Sequence, residues 1–212
     1  MYAEVFLVGL LAAISPGPDF VVVMKNSLEM GRKQGIATAL GIACALVVHV
    51  AYTVLGFSLL LERSPGLYNA FRLAGAAYLL WLGWNAIRCR ARTDDTGGAD
   101  PFAVRRTNLS VLQGFREGFL CNLLNPKAAL FFLGIFSQFI GPGTAGWVRW
   151  VYGGEIVLAA ALWFAVLAVC ISYGAFRAFY QRQAHWFDRV LGAVLILLAA
   201  AIGYEIASQM IG

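Results

Sequence analysis

The stretch Leu10–Met24, LLAAISPGPDFVVVM, decides how this chain is read. It sits in the first apolar run, yet it places Pro16, Gly17, Pro18 and Asp19 where a spanning helix would carry leucine. Proline has no N–H and clashes with the carbonyl four residues back. Pro16 therefore frees the carbonyl of Ala12, and Pro18 frees that of Ile14. Gly17 lets the backbone unwind between them. Unpaired carbonyls in hydrocarbon survive only against protein, water or a ligand. A carboxylate inside a span is costly and marks a functional site.

The composition is that of a membrane protein. Of 212 residues, 60% are hydrophobic and 13% charged, against about 25% charged in a soluble domain. A spanning helix needs about 20 apolar residues. Six runs qualify: Tyr2–Met24, Gly35–Leu61, Gly66–Ile87, Gly118–Ile140, Trp147–Tyr173 and Phe187–Ile211. The only charge at the start of the first run is Glu4, with no basic residue, so that run reads as retained and not as a signal peptide. The net charge of +5 is spread between the runs. It forms no basic stripe, so no nucleic-acid partner is expected. Cys44, Cys89, Cys121 and Cys170 form no CxxC pair, and they read as small buried apolar residues.

Lys and Arg set the direction. Lys25, Arg32 and Lys33 follow the first run. Arg88, Arg90, Arg92, Arg105, Arg106 and Arg116 follow the third, and Arg177, Arg182 and Arg189 follow the fifth. Arg63, Arg72 and Arg149 belong to the other side. The positive-inside rule then puts the odd connections in the cytoplasm and both termini in the periplasm. Trp81, Trp84, Trp147, Trp150 and Trp186 rim the runs, as interfacial aromatics do. Residues 89–115, with TDDTGGADP at Thr93–Pro101, read as a polar cytoplasmic loop.

The fourth run repeats the break, in GFLCNLLNPKAALFF at Gly118–Phe132. Pro126 frees the carbonyl of Asn122. Lys127 follows this proline as Asp19 follows Pro18, and Asn122 and Asn125 flank the break. Interrupted helices in corresponding positions of two halves point to a transporter binding site. The expected fold is therefore all-α and membrane-spanning. It has six helices in two inverted three-helix repeats, 1–88 and 116–212, forming one domain over 1–212, with helices 1 and 4 broken. GRKQGI and GFREGF, at Gly31 and Gly114, echo each other weakly but not in equivalent places.

Two readings of the charges stay open. Asp19 and Lys127 face a shared cavity with Ser15 and Gly17, or they form a structural ion pair beside two kinks. His49, within the second run, bonds Thr53 one turn on or relays protons. Glu155, early in the fifth run, is an interfacial residue or a further proton-coupling group. Glu4, Glu62, Arg63, Asp188 and Glu205 lie near run ends and are expected to reach water.

At these residues the sequence resembles the LysE/RhtB family of amino-acid exporters. The likeness rests on SPGPD and NLLNPKAALFF, with GIATALGIACALVVH at Gly35–His49 and AYLLWLGW at Ala77–Trp84. It runs end to end, although the fifth and sixth runs match only in character. The resemblance implies a bacterial inner-membrane protein. It implies proton-driven efflux of an amino acid such as threonine, homoserine, leucine or lysine, and a histidine at the place of His49. Asp19 suits the ammonium of a zwitterion and Lys127 its carboxylate. Freed carbonyls of Ala12, Ile14 and Asn122 add acceptors, and N–H groups after Pro18 and Pro126 add donors. Proton coupling needs a group that is charged in one state and neutral in another, and Asp19 is the candidate. No catalytic residue, metal site or cofactor is expected, and no phosphate-binding G-x-x-x-x-G-K-[ST] run occurs. Two alternatives are a divalent-cation exporter, which lacks a ligand cluster here, and a membrane thiol or electron carrier, which lacks a cysteine on the first run. The oligomeric state is open, a homo-oligomer included.

Overall fold

The computed structural model describes residues 2–63, 65–88, 110–141, 143–171 and 173–211. Among the described residues, eight helices follow one another: α1 (Tyr2–Ile14), α2 (Pro18–Met30), α3 (Arg32–Arg63), α4 (Pro65–Ile87), α5 (Val111–Leu123), α6 (Pro126–Phe139), α7 (Gly146–Cys170) and α8 (Gly174–Ile211). No strand occurs among the described residues.

Both breaks fall at the prolines. Pro18 and Pro126 open α2 and α6, at the first helical position, where a missing N–H costs nothing. The chain bends by 60° between α1 and α2 and by 56° between α5 and α6. Gly31 turns the chain from α2 into α3 with φ at +100°, a left-handed conformation that favours glycine. Ser110 and Gln113 cap α5 reciprocally.

Among the described residues, three single helices are long and apolar enough to cross a membrane, within α3, α7 and α8, and counting each bent pair as one span raises the total to five. Helix α4 has the length, with 23 residues, but Arg72 and Asn85 dilute its apolar character. Arg72 lies within the third run, where its charge needs a partner. It is 5% exposed on α4 and pairs with Glu205 of α8.

Other boundaries also move. The fourth run starts earlier, because α5 begins at Val111. The fifth connection is mostly helix, since α8 starts at Gly174. Phe176, Tyr180 and Phe187 recur at helical spacing there, and all three pack on the core. The expected loop at 89–115 lies outside the described residues through 109.

Small residues let the helices touch. A Cβ on Gly118 would collide with the carbonyl of Thr38, one on Gly41 with that of Phe115, and one on Gly114 would sit 2.8 Å from that of Gln34. Gly83 and Gly192 face each other's carbonyls between α4 and α8. Such contacts replace the hydrophobic drive that helices lack in lipid. They also account for the glycines of GFREGF, which lie four apart on one face of α5. Large apolar residues remain outside, such as Leu40, Val47 and Leu55 on α3, as lipid requires. The five interface tryptophans are all exposed. Cys44 is exposed as well, contrary to its reading as a buried residue; Cys121 and Cys170 are half-buried.

Candidate functional site

The two breaks meet at one cavity of about 70 Å³. Ser15, Gly17, Pro18 and Asp19 reach it from the first break, and Asn122, Asn125 and Lys127 from the second. Apolar side chains including Phe20, Leu46, Leu82, Phe131, Phe132 and Phe164 complete the wall. Pro16 and Pro126 shape the breaks without lining the space.

Asp19 and Lys127 hold equivalent places, each the second residue of a restarted helix. A helix N-terminus carries partial positive charge. Asp19 is favoured there. Lys127 is not, by typically about 0.3–1 kcal/mol. The second break thus concentrates positive potential and the first supplies the carboxylate.

No direct salt bridge joins Asp19 and Lys127. Oδ2 of Asp19 instead accepts from the amides of Asn122 and Asn125, at 3.0 and 3.1 Å. Its Oδ1 is buried with no hydrogen-bond partner. The thiol of Cys121 lies against the same carboxylate. Lys127 Nζ donates to Ser15 Oγ at 3.4 Å, and Ser15 Oγ donates to Asp188 Oδ1 at 2.7 Å.

Asp188 was expected to reach water. It is 5% exposed. Its run begins at Phe187, so the sequence places it at a helix end; the structure has α8 already running for more than three turns by then. The helical spacing of Phe176, Tyr180 and Phe187, which carries α8 back before the run, was the available signal that Asp188 lies inside a helix.

The freed carbonyls are largely claimed by the protein. Tyr180 donates its hydroxyl to the carbonyl of Ile14. His49 Nε2 lies 3.1 Å from the carbonyl of Asn122, which also accepts from the N–H of Asn125. Those two carbonyls are therefore not open ligands for an ammonium. The N–H of Lys127 is likewise taken, by Asn125 Oδ1 at 3.0 Å.

His49 does not bond Thr53, whose hydroxyl is buried without a partner. Its Nδ1 faces the Tyr52 hydroxyl, and its ring stacks on Phe132 at 5.9 Å. A carbonyl can only accept, so Nε2 carries the proton and neutral Nδ1 accepts from Tyr52. His49 thus stands behind Asn122 and does not line the cavity. Glu155 does not line it either, although its neighbour Ile156 does; Oε2 of Glu155 is buried without a partner.

The sequence model of LysE type translocators matches residues 10–206. The chain is 32% identical over 195 residues to the threonine efflux protein of Salmonella typhi, covering 92% of this chain and 93% of that protein. It is 31% identical over 195 residues to the threonine efflux protein of Escherichia coli K12, with the same coverage. It is 30% identical over 211 residues to the uncharacterized membrane protein YahN of that strain, covering 99% of this chain and 92% of that protein. No solved structure matches.

Proposed function

The chain belongs to the LysE type translocator family, transporters and not enzymes, and from that premise we propose that it exports a small zwitterionic amino acid in exchange for protons. One observation carries this reading. Asp19 and Lys127 face the same cavity from the two helix breaks without pairing with each other. Neither touches an opposite charge directly: Asp19 is held by two amides and Lys127 by the Ser15 hydroxyl, and an amino acid brings an ammonium for one and a carboxylate for the other.

The ammonium binds Asp19 at Oδ1, while Asn122 and Asn125 hold Oδ2. The carboxylate binds Lys127 at the start of α6. The apolar wall takes the side chain. The side chains of threonine, homoserine or leucine suit this wall, whereas a lysine side chain would leave its ammonium among Phe131, Phe132 and Phe164. The relatives named for threonine efflux favour the same class.

The exchange follows from Asp19. Substrate leaves outward, a proton from that side takes the place of the ammonium on Asp19, and the proton is released inside. Ala12, whose carbonyl Pro16 deprives of its helical donor, is among the residues that line the cavity.

We read the architecture as two inverted halves, with α1 to α4 corresponding to α5 to α8 and α4 completing six crossings. The packing supports it. Helix α3 packs on α5 and α6, and its counterpart α7 packs on α1 and α2; α3 meets α7, and α4 meets α8. The Lys/Arg distribution supports both termini lying outside, in the periplasm, and the bacterial membrane relative supports a bacterial inner-membrane location.

The test is reconstitution. Proteoliposomes loaded with a panel of amino acids are followed for efflux with and without a pH gradient. Gradient-stimulated efflux of a small neutral amino acid is expected. Efflux of none of the panel would dismiss the reading.

A further inference from the structure

Lys127 has a reason not to pair with Asp19. Its ammonium is held by Ser15 Oγ at 3.4 Å, and Ser15 is held by Asp188 Oδ1 at 2.7 Å. Asp188 comes from α8, outside both breaks, and is buried. A buried aspartate costs several kcal/mol unless it is paired and hydrogen-bonded, and here its partners are the Ser15 hydroxyl and, through it, the lysine. Meanwhile Asp19 Oδ1 stays buried with no partner.

We infer that Asp188 is a positioning residue that tethers Lys127 through Ser15, keeping it from neutralising Asp19, so that the empty carrier must take up a proton before it can return. This rests on the antiport reading and supplies its missing element. With Lys127 free to swing to Asp19, the empty cavity would be internally neutralised and could reorient without a proton. The carrier would then equilibrate substrate and not pump it. With Lys127 tethered, the unpaired carboxylate of Asp19 can be neutralised only by the substrate ammonium or by a proton added at Oδ1.

The groups facing this arrangement are few among the described residues. Asp19 comes from α2 and Lys127 from α6. The Cys121 thiol of α5 lies beside Asp19. Tyr180 of α8 lies near Asp188 and is engaged with the Ile14 carbonyl. His49 of α3 is spent on Asn122 and Tyr52. None of these is a second cation able to neutralise Asp19.

The experiment measures the steady accumulation of a transported amino acid in inside-out vesicles or oriented proteoliposomes under an imposed pH difference. One proton per substrate sustains about a tenfold concentration ratio per pH unit, since tenfold corresponds to about 1.4 kcal/mol. The wild type is expected to reach that ratio. Asp188→Asn is expected to let the ratio collapse toward one while some downhill transport remains, and Asp188→Glu is expected to restore it. If Asp188→Asn does not fold, Ser15→Ala reads the same tether and is expected to lower the ratio. Full accumulation by Asp188→Asn, or by Ser15→Ala in its place, would overturn the tether alone. A wild type that transports but never accumulates would fell the antiport reading, and the tether with it.

Discussion

The ring of His49 on α3 meets, through Nε2, the carbonyl of Asn122 that Pro126 deprives of its helical partner, at 3.1 Å. A break in one helix is thus sealed by a side chain from another, 73 positions earlier in the chain. The carbonyl keeps the bond from the Asn125 N–H, so losing the His49 donor costs one hydrogen bond, about 0.5–1.5 kcal/mol. His49→Ala should lower the thermal midpoint of the purified protein measurably. His49→Gln should keep the proton-to-substrate ratio, because the ring lies behind the cavity wall; a lost ratio in that variant would make His49 a relay.

Tyr180 does for the first break what His49 does for the second. Its hydroxyl satisfies the Ile14 carbonyl freed by Pro18. Tyr180→Phe keeps the ring and its stacking on Phe20 at 4.3 Å and removes only the donor. A stability loss of about 1–3 kcal/mol is expected, read from denaturation in detergent. An unchanged midpoint would mean that the carbonyl finds another donor.

Glycines separate contact from filler. Gly118→Ala drives a methyl into the carbonyl of Thr38, and backbone there cannot step aside. That variant should lose monodisperse protein on size-exclusion chromatography. Gly154→Ala meets nothing within 4 Å and should behave as wild type. Similar behaviour of the two would show that α3 and α5 have slack between them.

The prolines predict a separation of folding from transport. Replacing Pro16 and Pro18 by Ala offers the chain a continuous helix through Ser15–Gly17. The double variant should insert and purify normally yet transport poorly. Wild-type transport would reduce the break to a bend without function.

Topology is open to chemical labelling. Single cysteines at 93–101, in a cysteine-free background, should resist a membrane-impermeant thiol reagent added to intact cells. Labelling from outside would reverse the orientation.

The breaks, the two charges and the two asparagines were legible from sequence, because proline and intramembrane charge act locally and leave a plain mark. The closing partners were not. Tyr180, His49 and Asp188 reach the breaks from α3 and α8, and nothing in their own neighbourhoods says where those helices pack. Asp188 was misplaced for a definite reason: apolar run length was used to locate the helix end, whereas amphipathic spacing at Phe176, Tyr180 and Phe187 carries α8 well before the run. The freed carbonyls were read as ligands because a single sequence shows the loss of a bond and not its replacement. The pairing of Arg72 was illegible for the same reason, since Glu205 lies 133 residues away.

The most direct test of the central claim, that Asp19 and Lys127 bind opposite ends of one zwitterion, is export by Asp19→Asn, Lys127→Gln and the double variant. Each would be reconstituted after a check of monodispersity and assayed with and without a pH gradient. The double variant is expected to fold and to be at least as inactive as either single one. Asp19→Asn should uncouple whatever movement remains from protons, and Lys127→Gln should weaken recognition of the carboxylate. Recovery of proton-coupled export in the double variant would contradict the claim, because two charges that only compensate each other are better removed together than singly.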